Sequence, residues 1–133
     1  MTPLDEKVLV SGQIDPGAMR ALADYGVTAI VNNRPDREEP GQPTSAEMEK
    51  AAAEAGLDYR HIPVAGGFAP GQVEAMADAI DAAEGKLLAF CKSGTRSTWL
   101  WALARSRQGE AAEDLIAKAE AAGYGLEPLR PYL

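Results

Sequence analysis

Short apolar runs alternate along the chain with longer segments in which apolar residues recur at helical spacing. The short runs predict four β-strands, at residues 7–11, 27–31, 57–64 and 86–90. Cap signals and helical periodicity predict helices between and after them, at residues 15–25, 44–55, 70–84, 97–108 and 110–122. The tail, residues 124–133, contains glycine and proline and is predicted to pack loosely.

Residue types at the helix starts support these boundaries. Asp15 is placed to cap a helix whose first position is Pro16, where the missing N–H of proline is tolerated. The segment Thr44-Ser-Ala-Glu47 matches a capping box. Strands that alternate with helices are typical of a mainly parallel sheet with helices on both faces. We therefore predict one α/β domain over residues 1–133, with three layers in the order α/β/α.

Composition narrows the class of protein. The chain carries 13 Lys and Arg against 20 Asp and Glu, and its net charge of -7 disfavours binding to nucleic acid. No apolar run approaches the roughly 20 residues of a membrane-spanning helix, and the N-terminus lacks the pattern of a secretory signal. One cysteine, Cys91, and one histidine, His61, exclude an internal disulfide and most zinc sites. We expect a soluble cytoplasmic protein without a metal or cofactor.

The strongest chemical signal is the segment Cys91-Lys-Ser-Gly-Thr-Arg-Ser97, here called the cysteine loop, which follows the most apolar predicted strand. Ligands of parallel sheets bind beyond the carboxyl ends of the strands. We expect a concave anion site there, with Gly94 at positive φ, a two-pronged grip from Arg96 and backbone or hydroxyl donors from Lys92, Ser93, Gly94, Thr95 and Ser97.

The same donors stabilise a thiolate, so the pKa of Cys91 is predicted to lie below its ordinary value. Cys91 is therefore the candidate nucleophile of an enzyme that acts on an anionic substrate. The competing interpretation is that Cys91 is only a small buried apolar residue at the end of a strand.

A second loop, residues 32–43, is predicted to lie over the same edge of the sheet. Arg34 is a candidate contact for an anionic substrate. Asp36 is a candidate general acid, or a partner that holds Arg34 or Arg96 in place. Glu39 is an alternative acid, whereas Arg37 and Glu38 are expected to be solvated.

Three further side chains could lie near the site. We expect His61 to be a buried structural residue. Helical spacing groups Trp99 with Leu103 on a buried face, so one of Trp99 and Trp101 is expected in the core. The other is expected to form the wall of a pocket or a contact with a partner.

The cysteine loop resembles the active-site loop of rhodanese sulfurtransferases and a shortened protein-tyrosine-phosphatase signature. Segments along nearly the whole chain are similar to the phosphatase-like domain of the beta-lactamase-hydrolase-like proteins, namely 10–13, 31–36, 39–44, 61–64 and the cysteine loop. This resemblance implies a fold like that of dual-specificity phosphatases. Bacterial members are found joined to, or near, persulfide dioxygenases and are often called sulfur transferases, which implies such an enzyme as a partner.

The resemblance leaves two reactions open. Tyrosine phosphatases place five residues between cysteine and arginine, whereas four separate Cys91 from Arg96, and Phe90 stands where histidine is usual. The predicted loop at 65–69 lacks the acid that phosphatases use, and such a loss costs roughly 10²–10⁴-fold.

Sulfane-sulfur transfer from thiosulfate or a persulfide needs no such acid, because the group that leaves is a stable anion. We therefore expect a sulfurtransferase that passes sulfur through a Cys91 persulfide to a thiol or cyanide. The alternative is a phosphatase that acts through a Cys91 phosphocysteine. A second alternative is an anion-binding module without catalysis.

Overall fold

A five-stranded sheet forms the centre of the computed structural model, which describes residues 1–133. Its strands are β1 Thr2–Pro3, β2 Val8–Ser11, β3 Val27–Asn32, β4 Asp58–His61 and β5 Lys86–Phe90. Their order is β1-β2-β5-β3-β4, and every pair is parallel except β1 with β2. The predicted mainly parallel sheet is confirmed. The strand predicted at residues 57–64 ends earlier, at His61, two residues before Pro63, which has no N–H for a hydrogen bond of the ladder. The short β1 was not predicted.

Helices connect the strands close to the predicted positions. They are α1 Met19–Asp24, α2 Ser45–Glu54, α3 Pro70–Ala82, α4 Thr95–Arg107 and α5 Ala112–Ala121, with 3-10 helices at Pro16–Ala18 and Glu127–Tyr132. The Thr44 hydroxyl accepts a hydrogen bond from the Glu47 amide at 3.1 Å, as a cap should. α4 begins at Thr95, two residues earlier than predicted, so Arg96 lies in its first turn.

The sheet separates two hydrophobic cores. Leu87 and Ala89 of β5 face the larger core, which α3, α4 and α5 cover, and Leu88 and Phe90 face the smaller core beneath α1 and α2. Because β5 is buried on both faces, it is the central strand of the molecule. The three-layer α/β/α fold is confirmed.

The tail after α5 is packed against the larger core, so the expectation of a loosely packed tail is wrong. Leu126 is fully buried, Leu129 is almost fully buried, and Tyr124 packs against the same core. Two apolar side chains three residues apart anchor the final 3-10 helix, as they would in any helix with one buried face.

The turn between β1 and β2 is fixed to α4 by the carboxylate of Asp5. It accepts hydrogen bonds from the amides of Lys7 and Val8 and, on its other oxygen, from Trp101 Nε1 at 2.9 Å and Arg105 Nε at 3.0 Å. Burial raises the pKa of Asp5, but these bonds together outweigh burial and leave the pKa below its ordinary value.

We expect Asp5→Ala to reduce the free energy of unfolding by about 3 kcal/mol at neutral pH, because it leaves buried donors without their acceptor. Urea denaturation measures the change, and Glu6→Ala at the exposed neighbouring position is the control. A carboxylate with a lowered pKa stabilises the fold above its unfolded-state pKa and loses that effect in acid. The difference should therefore shrink below about pH 4. A loss equal to that of Glu6→Ala would contradict this role.

Candidate active site

Three parallel strands end side by side where the candidate nucleophile stands. β2 ends at Ser11, whose carbonyl accepts a hydrogen bond from the Cys91 amide at 3.3 Å. β3 ends at Asn32, and the next amide, that of Asn33, donates to the Phe90 carbonyl at 2.8 Å. Cys91 thus leaves the sheet between the continuations of β2 and β3, at the carboxyl edge that the sequence predicts.

The cysteine loop folds back over the sulfur. Gly94 has a φ of +93°, the left-handed conformation expected of it, and its amide donates to Cys91 Sγ at 3.0 Å. Cys91 itself has no exposed surface. The sulfur therefore lies at the base of the loop, with α4 beginning directly beyond it.

The donors around the sulfur determine its ionisation. Burial by itself raises the pKa of Cys91, because it removes water from the thiolate. The amides of Ser97, Ser93 and Gly94 and the Ser97 hydroxyl oppose burial, and together they hold the pKa of Cys91 below its ordinary value. The shift has the direction that the sequence predicts.

A buried polar chain positions Ser97. Its hydroxyl donates to Asn33 Oδ1 at 2.8 Å, and Asn33 Nδ2 in turn donates to the Ile62 carbonyl at 2.9 Å. Because a hydroxyl carries one proton, Ser97 can donate either to Asn33 or to the thiolate. Asn33 is not among the site residues predicted from the sequence. The available signal was an amide side chain directly after a buried strand.

The tail closes the loop from outside. The Tyr124 hydroxyl donates to the Ser93 carbonyl at 3.1 Å, and a Cβ atom on Gly94 would lie only 2.2 Å from that hydroxyl. Burial and the negative charge of Cys91 raise the pKa of Tyr124, so its hydroxyl remains protonated and able to donate. Tyr124 is a second supporting residue that the sequence analysis missed.

The guanidinium of Arg96 is bound to a carboxylate from the 32–43 loop. Arg96 Nη1 and Nη2 donate to the two oxygens of Glu38 at 2.7 Å and 2.9 Å, and Nη1 also donates to the Val64 carbonyl at 2.9 Å. Hydrogen bonds from Arg96 hold the pKa of Glu38 below its usual range, with a smaller effect from Arg34. Glu38 is an exposed residue, as expected, but the expectation that it is merely solvated is wrong, because its carboxylate is bound to arginine side chains.

Arg34 shares the same carboxylate from the other side. Its Nε donates to Glu38 Oε1 at 2.9 Å, and its Nη1 donates to Gln13 Oε1 at 3.0 Å. His61 Nε2 lies 2.9 Å from the Arg34 carbonyl. His61 is exposed because β4 is the edge strand, so the expectation of a buried histidine is wrong, although its contact supports the 32–43 loop.

The remaining predicted site residues lie at the rim of the cysteine loop or beyond it. Lys92 pairs with Glu39, and Ser93 Oγ donates to Thr95 Oγ1 at 3.2 Å on the exposed side of the loop. The Asp36 carboxylate accepts a hydrogen bond from the Ser45 amide at 2.8 Å, at the start of α2. Asp36 thus has a partner other than Arg34, Arg96 or Cys91, and its role as an acid stays a prediction.

A partly apolar groove of about 580 Å³ is lined by residues 66–68, α3, α4 and the final 3-10 helix. Trp99 forms one wall of it, with its ring 6.2 Å from that of Phe68, while Trp101 is fully buried. One tryptophan lies in the core and the other lines a pocket, as expected, but the core residue is Trp101 and not Trp99, which helical spacing groups with Leu103 on the buried face.

No three His, Cys, Asp or Glu side chains cluster closely enough to hold a metal ion. A bilayer crossing would need a longer and more apolar helix than any found here.

We expect Gly94→Ala to slow alkylation of Cys91 by iodoacetamide at neutral pH by about tenfold, because the thiolate loses an amide donor. The new methyl group collides with Tyr124 and displaces the Gly94 amide from the sulfur. Gly109→Ala is the matched control, because Gly109 also has a positive φ of +99° but open space around its Cβ position. Equal alkylation rates in the two variants would contradict this role of the loop.

We expect Ser97→Ala to raise the pKa of Cys91 and to slow its alkylation at neutral pH by about tenfold, because the thiolate loses a hydroxyl donor. The pH dependence of iodoacetamide alkylation, followed by mass spectrometry, measures the pKa. Ser106→Ala, at the other end of α4, should leave the profile unchanged. An unchanged profile in Ser97→Ala would show that the amides alone hold the thiolate.

The chain is similar in sequence to a known family and to curated proteins. Residues 1–111 match the model of the family described as "Beta-lactamase hydrolase-like protein, phosphatase-like domain". A beta-lactamase hydrolase-like protein of Agrobacterium fabrum is 35% identical over 123 residues, which are 92% of this chain and 27% of that protein. The chain therefore spans less than a third of the length of the curated relatives it matches.

Solved structures extend the comparison to the fold. A Neisseria meningitidis protein, described as a putative phosphatase, is 35% identical with a TM-score of 0.83, and the match covers 98% of this chain and 93% of that one. Human DUSP28 shares the fold alone, at 22% identity and a TM-score of 0.63, over 92% of this chain and 82% of its own. The chain belongs to the family of phosphatase-like domains found in beta-lactamase hydrolase-like proteins.

Proposed function

We propose that this domain is a phosphoester hydrolase in which the Cys91 thiolate is the nucleophile. The observation that carries the proposal is the buried sulfur surrounded by loop amides, with a lowered pKa and Arg96 at the next turn. N–H donors around a nucleophile also hold the negative charge of the group it attacks. The phosphatase-like family and the phosphatase folds of the relatives support phosphate as that group.

In the proposed first step, Cys91 Sγ attacks phosphorus, and the bond to the ester oxygen breaks with its electron pair on that oxygen. The leaving oxygen takes its proton from water. The amides of the loop and Arg96 hold the phosphoryl oxygens. In the second step, water attacks the phosphocysteine, inorganic phosphate leaves and the electron pair of the S–P bond returns to the sulfur. Ser97 then donates to the thiolate.

The neighbouring carboxylates limit the substrates that such an enzyme would hydrolyse. Glu38 is held ionised by Arg96 and Arg34, so it has no proton to give the leaving oxygen. A general acid contributes roughly 10²–10⁴-fold, and its loss matters least where the leaving group is a weak base. Aryl phosphates release such a group. The groove that contains Phe68 and Trp99, the latter three residues after Arg96 on α4, offers an aromatic surface for its ring.

Sulfane-sulfur transfer is the second candidate, favoured by the four-residue spacing between Cys91 and Arg96. In that reaction, the thiolate attacks the outer sulfur of thiosulfate, the S–S bond breaks and sulfite leaves with the electron pair. The Cys91 persulfide then gives its outer sulfur to cyanide or to a thiolate, and the Cys91 thiolate is restored. This route needs no proton donor. Where the acceptor is a thiolate, the product is a persulfide, and a persulfide dioxygenase-type enzyme would be the partner that consumes it.

We expect p-nitrophenyl phosphate to be hydrolysed by the protein and not by Cys91→Ser. Arg96→Lys should reduce kcat by roughly 10²–10³-fold, because a point charge replaces a planar grip on the transition state. Asp36→Asn should retain activity, since Asp36 contacts the Ser45 amide instead of the loop. Release of nitrophenolate measures the activity of the protein and of these three variants.

Thiosulfate provides the opposing test. Incubation with thiosulfate followed by mass spectrometry should leave Cys91 unchanged if the domain is a phosphatase. A gain of one sulfur atom, together with negligible phosphate release, would overturn the proposal in favour of sulfur transfer. If the protein reacts with neither p-nitrophenyl phosphate nor thiosulfate, the remaining interpretation is an anion-binding module without catalysis. Loss of hydrolysis in Asp36→Asn would identify Asp36 as the acid, with Asp58→Asn on β4 as the control.

A further inference from the structure

Three cationic side chains converge on two neighbouring carboxylates beside the cysteine loop. Glu38 receives Arg96 on both of its oxygens and Arg34 on one of them. Glu39 pairs with Lys92, and its carboxylate lies 3.5 Å from Arg34 Nη2. The guanidinium and ammonium groups that an anionic ligand of the loop would contact are therefore already paired with carboxylates of the same chain.

The chain adopts an unfavourable conformation to place these carboxylates. Arg37 has a φ of +65° and is the one residue other than glycine with a positive φ. Such a conformation costs an ordinary residue about 1–2 kcal/mol. Gln42 stabilises the loop, because it accepts from the Glu38 amide at 3.1 Å and donates to the Pro35 carbonyl at 2.9 Å.

Arg34 retains an unused hydrogen-bond donor despite this pairing. Its side chain is 4% exposed, and its Nη2 atom is buried without a hydrogen-bond partner. Buried polar atoms are nearly always paired, and a buried guanidinium usually has all its N–H groups satisfied. Nη2 has one ion-pair contact, Glu39 Oε1 at 3.5 Å, and that contact is not a hydrogen bond.

We propose that the Glu38–Glu39 pair occupies the place of a ligand with two anionic groups, and that Arg34 and Lys92 form the subsite for its second group. The first group lies at the cysteine loop and Arg96, in the position that the proposed function assigns to the reacting phosphate. The ligand class is therefore a small compound with two neighbouring phosphates, or with a phosphate and a carboxylate. The inference rests on the proposed anion site, but not on which bond is broken there.

Competition with the internal pair determines the selectivity of this site. A single anion that displaces Glu38 only replaces the hydrogen bonds between Arg96 and Glu38 with its own. The net gain in binding free energy is therefore small. A ligand with two anionic groups also reaches the unused donor of Arg34 and the ammonium of Lys92. It should therefore bind at least about tenfold more tightly than orthophosphate, because charge-assisted hydrogen bonds are stronger than neutral ones.

Isothermal titration of the full chain carrying Cys91→Ser, which prevents turnover, tests the proposal. The probes are orthophosphate, inorganic diphosphate and phosphoglycolate at constant ionic strength. We expect at least one of the last two probes to bind about tenfold more tightly than orthophosphate. Whichever binds more tightly identifies the second group as phosphate or carboxylate.

Substitutions in the internal pair separate this proposal from a general charge effect. Glu38→Gln should tighten binding of the two-anion probe by about tenfold, because a neutral amide competes less well for two guanidinium groups. Glu39→Gln should act in the same direction. Glu54→Gln, an exposed and unpaired glutamate on α2, removes the same charge elsewhere and should have little effect.

Arg34→Lys tests the second subsite with the charge retained. It should remove most of the preference for the two-anion probe and leave orthophosphate affinity within about twofold, with Arg60→Lys on β4 as the control. Two results would overturn this inference without affecting the proposed function. One is that the Cys91→Ser protein shows no preference for a two-anion probe over orthophosphate, and the other is that Glu38→Gln and Glu54→Gln have equal effects. Failure of every probe to bind any variant would overturn the anion site of the proposed function as well.

Discussion

A thiolate can be buried only where N–H groups replace the water that it loses, and the structure around Cys91 meets this requirement. β5 is enclosed by two cores and fixes the backbone at Phe90, and the Asn33 amide holds that end of the strand. The chain then turns at Gly94, so that amides face the sulfur before α4 begins. The sheet, the turn and the first turn of the helix therefore act together on the ionisation of one atom.

Local patterns predicted this part of the molecule well. The apolar run of β5, the glycine at position 94 and the helix after it are neighbours in sequence, so the strand, the turn and the helix could be derived without long-range information. The Thr44 cap and the helix that begins at Pro70 were predictable for the same reason. The carboxyl edge of a parallel sheet then placed the 32–43 loop beside the cysteine loop.

Contacts between distant segments could not be derived in this way. Glu38 has the appearance of a solvated surface residue because nothing near it in the sequence indicates that Arg96, far along the chain, binds its carboxylate. Asn33 and Ser97 are paired across a similar separation. The sequence did carry some overlooked signals. Leu126 and Leu129 are spaced for a buried helical face, and the polar neighbours of His61 suit an edge strand better than a buried one.

The contact from Tyr124 to the Ser93 carbonyl has a consequence for the order in which the protein matures. A ribosome adds Cys91 well before Tyr124, so the growing chain carries its sulfur for a time without the phenol that supports the loop. During that interval all five strands have already been synthesised, but α5 and the tail that pack on the larger core are not yet complete. The outer side of the cysteine loop is therefore completed only at the end of synthesis, when the tail docks onto the core.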